Sequence, residues 1–186
     1  MKKLLVLMLA VLMFISAPAL AEEGFVEPAG DGSDFTDTPE SLITSAMEVY
    51  SWFVMWPLDV DENLPGGDGD VYAVLDDRFF LKEDMDSLLS FYFSPEICEA
   101  LWDWELYTVI DGGLYAPLEG DWRWIDDRIQ EVSYRLAGET DRRREYEVVV
   151  YYEDDGDDMT PEVEDLTFVQ EKTPEGWQFT QFPFFW

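Results

Sequence analysis

The chain has 186 residues, with 42 Asp and Glu against 11 Lys and Arg, no histidine, and a net charge of −31. Such a surface repels nucleic acid and anionic lipid, so neither is expected as a partner. Without histidine the usual Ser-His and Cys-His nucleophile systems and the common zinc sites are excluded.

The acidity has two readings. One is solubility in a salty or crowded medium, a halophilic source included. The other is attraction for a basic protein, a metal ion or a cationic wall component.

The first 21 residues read as a secretory signal peptide. Lys2 and Lys3 precede an apolar stretch over residues 4–15, and Ala19-Leu20-Ala21 is a small-x-small cleavage site. The apolar part is too short for a spanning helix. No cysteine follows the cleavage site, so a released, extracytoplasmic protein is expected, with no membrane contact in its mature form. The remaining chain suits one domain with a proper core. Cys98 is the single cysteine, so no internal disulfide forms, and its apolar neighbours Ile97 and Leu101 make it a small hydrophobe rather than a reactive thiol.

Residues 22–37 are rich in Gly, Pro, Ala and acids and read as a flexible acidic lead. A first helix is expected from Thr38-Pro39-Glu40, a cap, a first-turn proline and a dipole-matched acid. Leu42, Ala46, Val49, Phe53 and Trp56 fall on one face, widened by Ile43, Met47, Tyr50 and Val54. Pro57 ends this helix. Trp52 and Met55 project away from the stripe, so they are either covered by a further layer or partly exposed.

Residues 59–70, "DVDENLPGGDGD", read as a loop. Residues 71–74 and 78–81 read as short strands around an Asp-Asp turn. A second helix follows over 83–93, and Ser94-Pro95-Glu96 opens a third, carrying Ile97, Leu101 and Trp104. The period then changes to two. Strands at 106–110 and 114–118 flank Asp111-Gly112-Gly113, a hairpin turn, and residues 122–125 extend this region. Strands at 129–137 and 145–152 flank a polar turn with Arg142, Arg143 and Arg144. Val148, Val150 and Tyr152 share a face. An acidic loop at 153–161 leads to a last hairpin, 166–172 and 177–182, around Pro174-Glu175-Gly176. Helices followed by antiparallel strands define an α+β domain over residues 38–186. The expected layout is a long N-terminal helix and two shorter helices packed on a curved antiparallel sheet.

Candidate chemistry is sparse. Asp59, Asp61 and Asn63 match the opening half of a calcium loop, but Leu64 stands where glycine is required and Asp70 where glutamate is. A solvated acidic loop is the plainer reading, and no metal or other cofactor is expected. Carboxylate pairs of the glycosidase kind are unspecific among 42 acids. Trp122, Trp124, Tyr115, Arg123 and Arg128 cluster around the middle hairpin, as core or as interface residues. Asp59, Asp61, Asp70, Trp122, Trp124 and Arg128 are therefore candidates for partner binding. Trp52, Trp56, Arg78 and Tyr115 are candidates for a pocket between helix and sheet. The closing "FTQFPFFW" docks on helix and sheet, or else forms an exposed apolar patch that needs a partner.

Four stretches in this order resemble the secreted DL-endopeptidase inhibitors, the IseA-like family of Gram-positive bacteria: "AMEVYSWFVMWPLD" (46–59), "FSPEICEAL" (93–101), "DGGLY" (111–115) and "GWQFTQFPFFW" (176–186). Cystatin-like and nuclear-transport-factor-like domains share the layout. The resemblance implies no enzymatic activity of its own. It implies binding to secreted cell-wall cysteine peptidases and occlusion of their active-site clefts, and the chain's negative charge adds the expectation that such a partner has a basic surface. It assigns no contact residues. The alternative is an extracytoplasmic module that binds a small molecule or sugar between helix and sheet.

Overall fold

In the computed structural model, which describes residues 38–67, 69–118, 126–153 and 163–185, Thr38 caps the first helix. Its hydroxyl oxygen accepts the Ser41 N–H at 3.1 Å, ahead of Pro39 in the first turn. This helix, α1 (Pro39–Val54), stops two residues before Trp56. Met55 still donates its N–H to the Ser51 carbonyl at 2.9 Å, and Pro57 has no N–H with which to continue. The expected stripe is buried at Ile43, Ala46, Met47, Val49 and Phe53. Trp52 and Met55 are buried as well, so layers cover the helix on more than one side.

The first sheet contains β1 (Val60–Gly66), β2 (Val71–Val74), β3 (Thr108–Ile110) and β4 (Gly113–Ala116), in the order β1-β2-β4-β3. Two expectations are corrected here. Residues 59–70 are not simply a loop: Val60 pairs with Val74 and Gly66 with Val71, with an irregularity between Asp61 and Pro65. β1 is an edge strand that exposes four consecutive residues, so it carries no alternating pattern, and its proline and acids are features that discourage further pairing. Gly66 is required, because a Cβ there would lie 2.5 Å from the Tyr115 ring.

Residues 78–81 do not form a strand. The Asp76 carboxylate accepts the Arg78 backbone N–H at 3.0 Å and the Phe79 N–H reaches the Asp76 carbonyl at 3.1 Å. This is a turn closed by an aspartate, and only Leu81 makes a bridge, to Gly113. The β3–β4 hairpin has the expected turn. Asp111 and Gly112 have φ of 50° and 85°, the left-handed pair that a two-residue hairpin loop requires.

Between β2 and β3 lie α2 (Lys82–Tyr92) and α3 (Pro95–Trp102). α3 ends before Trp104, which is exposed rather than carried on the helix. Asp86 joins the two helices: its carboxylate accepts from Trp102 Nε1 at 2.9 Å and pairs with Lys82, whose Nζ lies 4.5 Å from the Trp102 ring centre.

The second sheet runs in chain order through β5 (Ile129–Glu139), β6 (Arg143–Tyr152), β7 (Val163–Thr173) and β8 (Gly176–Gln181). The domain is α+β, but with two antiparallel sheets in place of the single curved one expected. β4 already has a partner on each side, and among the described residues β5 to β8 form ladders with one another, with a single further bridge from Phe179 to Phe93. Tyr146, Val148, Val150, Phe168 and Phe179 form the buried face of this sheet. Tyr152 is half-buried and donates its hydroxyl to Glu164.

The chain end packs into this core. Phe182 lies 5.0 Å from Phe93, 5.0 Å from Phe168 and 4.9 Å from Phe179, ring centre to ring centre. Tyr50 of α1 stacks on both Phe182 and Phe184. The closing aromatics therefore dock on helix and sheet and leave no apolar patch among residues 182–185. Residues 122–125 and Trp186 lie outside the described residues, as does the acidic loop after Glu153. Among the described residues, no helix is long and apolar enough to cross a membrane.

Candidate binding cleft

Where α1 ends, Trp56-Pro57-Leu58 leads into β1. Two hydrogen bonds fix this passage. Leu58 donates its N–H to the Tyr107 hydroxyl at 2.9 Å. Leu75, just past β2, donates its N–H to the Asp59 carbonyl at 2.8 Å. Tyr107 is itself buried, 5.1 Å from the Phe53 ring and 6.2 Å from the Trp102 ring. Burial pushes its phenol well above the ordinary range, so it stays protonated. The pairing of β2 with β4 then brings Pro117 and Leu118 to the same place.

The result is a cleft of about 460 Å³, within the size of small-ligand sites, roughly 300–1,000 Å³. Its walls are Trp56, Pro57 and Leu58 from the end of α1, Asp59, Val60 and Glu62 at β1, Leu75 after β2, and Pro117 and Leu118 after β4. Leu75 is 61% exposed and Leu118 41%. Among the described residues, Asp59 and Glu62 are the charged ones that line it, and both are exposed.

Of the residues singled out from sequence, Trp56 and Asp59 meet in this cleft. Asp61 lies beside it on β1, its carboxylate accepting both the backbone N–H and the side-chain amide of Asn63 at 2.9 Å. That backbone bond holds the Asp61 carboxyl below its usual range. Asp70 is exposed just before β2. Trp52 is buried against Phe79, Tyr115 lies over Gly66, and Arg78 forms a bidentate pair with Asp76. Trp122 and Trp124 lie outside the described residues. Among the described residues, no group of three potential ligands could hold a metal ion. The Cys98 thiol is half-buried, donates to the Phe93 carbonyl, and is pushed by burial to about 11, so it is a poor nucleophile at neutral pH.

Arg128 repeats the arrangement of Arg78. Asp76-Asp77-Arg78 and Asp126-Asp127-Arg128 are the same tripeptide, and in both the arginine forks onto the first aspartate, with closest approaches of 2.7 and 2.6 Å. Each arginine holds its aspartate's carboxyl below the usual range. This local repeat was legible in the sequence as two "DDR" triplets. Elsewhere Arg143 pairs with Glu145, Arg144 with Glu139, and Arg135 with Glu147. Among the described residues most of the positive side chains are thus matched within the fold, and no carboxylate is buried.

Comparison with known proteins gives no match to any family model and none to a curated protein.

The Tyr107–Leu58 bond carries a testable cost. Tyr107→Phe keeps the ring in its pocket and removes the acceptor of a partly buried N–H. The expected loss is about 1–2 kcal/mol, read as a lower urea midpoint with an unchanged slope. An unchanged midpoint would mean that this bond does not hold the cleft's floor.

Proposed function

We propose that the protein is a secreted, non-enzymatic inhibitor or regulator of cell-wall DL-endopeptidases, acting by occluding their active-site clefts. The observation that carries this reading is the distribution of charge. A net −31 chain has much of its small positive complement paired internally, leaving a field that steers a basic protein toward it. The leader-like first 21 residues, the lack of histidine and the four family-like stretches point the same way. Within the same proposal the second of the two sheets curves around α1, which lies against β5 and the closing aromatics.

The test is inhibition of a secreted wall DL-endopeptidase by the chain from Glu22 onward, at low and high salt. Inhibition is expected to weaken at least severalfold between about 0.05 and 0.5 M salt, since exposed charges are screened beyond roughly 10 Å at 0.1 M. No inhibition at either salt by the folded protein would overturn the proposal. The size of the cleft beside Trp56, taken alone, is the observation that favours the second reading, a module that takes a small molecule or sugar.

A further inference from the structure

We propose that the cleft at the end of α1 receives a lysine or arginine side chain carried on an apolar peptide segment of a protein partner. The proposal rests on the reading of the protein as a partner-binding inhibitor and gives that binding a place and a chemistry.

The lining supports it in three ways. First, Asp59 and Glu62 lie at the cleft, and among the described residues no positive one lines its walls. Many carboxylates elsewhere are already occupied: Asp76, Asp86, Asp126, Glu139 and Glu145 by cations, and Asp61 by Asn63. Among the described residues, neither Asp59 nor Glu62 has such a partner, so both are available to a cation from outside. Second, the same space contains the Trp56 indole, a group whose ring face attracts ammonium and guanidinium ions. Third, Leu75 and Leu118 are large apolar side chains left exposed in its walls. An apolar flank on the incoming segment would cover them.

The geometry is also held in advance. The Leu58 N–H is fixed by Tyr107, and the Asp59 carbonyl by the Leu75 N–H. A cleft whose backbone is pinned loses little freedom on binding. An anionic ligand would meet two carboxylates at its entrance, and an uncharged sugar would leave them without a counter-charge.

The experiment uses the full chain and a short acetylated, amidated peptide with a central lysine between leucines. Its counterparts carry norleucine or glutamate at the centre. Binding is followed by backbone amide shifts at low salt. The lysine peptide is expected to bind about tenfold more tightly than the norleucine peptide, with shifts centred on Leu58, Asp59, Leu75 and Leu118. The glutamate peptide is expected not to bind. Asp59→Asn with Glu62→Gln should abolish the preference for lysine. Glu99→Gln with Glu131→Gln, an equal change of charge on other exposed positions, should leave it intact.

Equal binding of the lysine and norleucine peptides would overturn the proposal. So would shifts scattered over the acidic surface, equal loss in both double variants, or no binding. The two readings fail separately. Peptidase inhibition that survives the Asp59→Asn, Glu62→Gln change removes the cleft from the inhibitory contact. Selective peptide binding without peptidase inhibition leaves the cleft and removes the proposed target.

Discussion

Phe93→Ala is expected to destabilise the protein by about 3–5 kcal/mol, a fall in melting temperature on the order of 10 °C for a domain of this size. Phe93 is fully buried at the junction of α2 and α3. Its ring contacts Tyr50 of α1 at 5.8 Å, Phe179 of β8 at 6.4 Å and Phe182 of the chain end at 5.0 Å. Its backbone forms a bridge with Phe179, and the next residue, Ser94, donates its N–H to the Phe179 carbonyl at 2.9 Å. The side chain thus sits where helices, sheet and C-terminal segment meet. Phe91→Ala, two residues earlier in the last turn of α2, is the control. That ring is 53% exposed, and its loss should cost under about 1 kcal/mol. Similar costs for both variants in urea titrations would mean that the junction relaxes and is not the centre of the core.

The contrast between these two phenylalanines shows what the sequence could convey. Helical spacing and capping chemistry were enough to place α1, α2 and α3 within one or two residues. The Asp-Gly turn was enough to place the β3–β4 hairpin, because positive φ at two successive positions is a local demand. β1 was not legible. Its pairing depends on backbone groups of β2, while its own side chains, Asp61 to Pro65, face solvent or an irregularity and carry no period. The division into two sheets was hidden for the same reason, since which strand pairs with which is a long-range choice that a period of two does not encode.

The site was partly legible. Trp56 and Asp59 could be named from the abrupt change from apolar to acidic at Pro57. Leu75, Pro117 and Leu118 could not, because they reach the cleft only through the β2–β4 pairing. Trp52 and Tyr115 showed the right residue type for a pocket, but aromatic side chains serve cores equally well, and here Trp52 packs on Phe79 and Tyr115 over Gly66.

Ending the chain at Gln181 is expected to remove cooperative folding or to lower the melting temperature by well over 10 °C, on the order of 6–10 kcal/mol for two buried phenylalanines. Phe182 and Phe185 are 8% and 5% exposed, and Phe182 touches Tyr50, Phe93, Phe168 and Phe179. A net charge of −31 adds self-repulsion that apolar burial has to exceed, and a domain's whole margin is about 5–15 kcal/mol. The segment after β8 therefore acts as a closing piece of the core, joining α1 to the second sheet. Single variants separate its parts. Phe182→Ala should cost about 3–5 kcal/mol. Phe184→Ala removes a half-buried ring stacked on Tyr50 and should cost about 1–2 kcal/mol. High salt should recover part of the loss in the truncated chain by screening the carboxylates. A truncated chain that melts cooperatively at the full-length temperature would show that the core closes without these rings, and that the four-way contact at Phe182 contributes little.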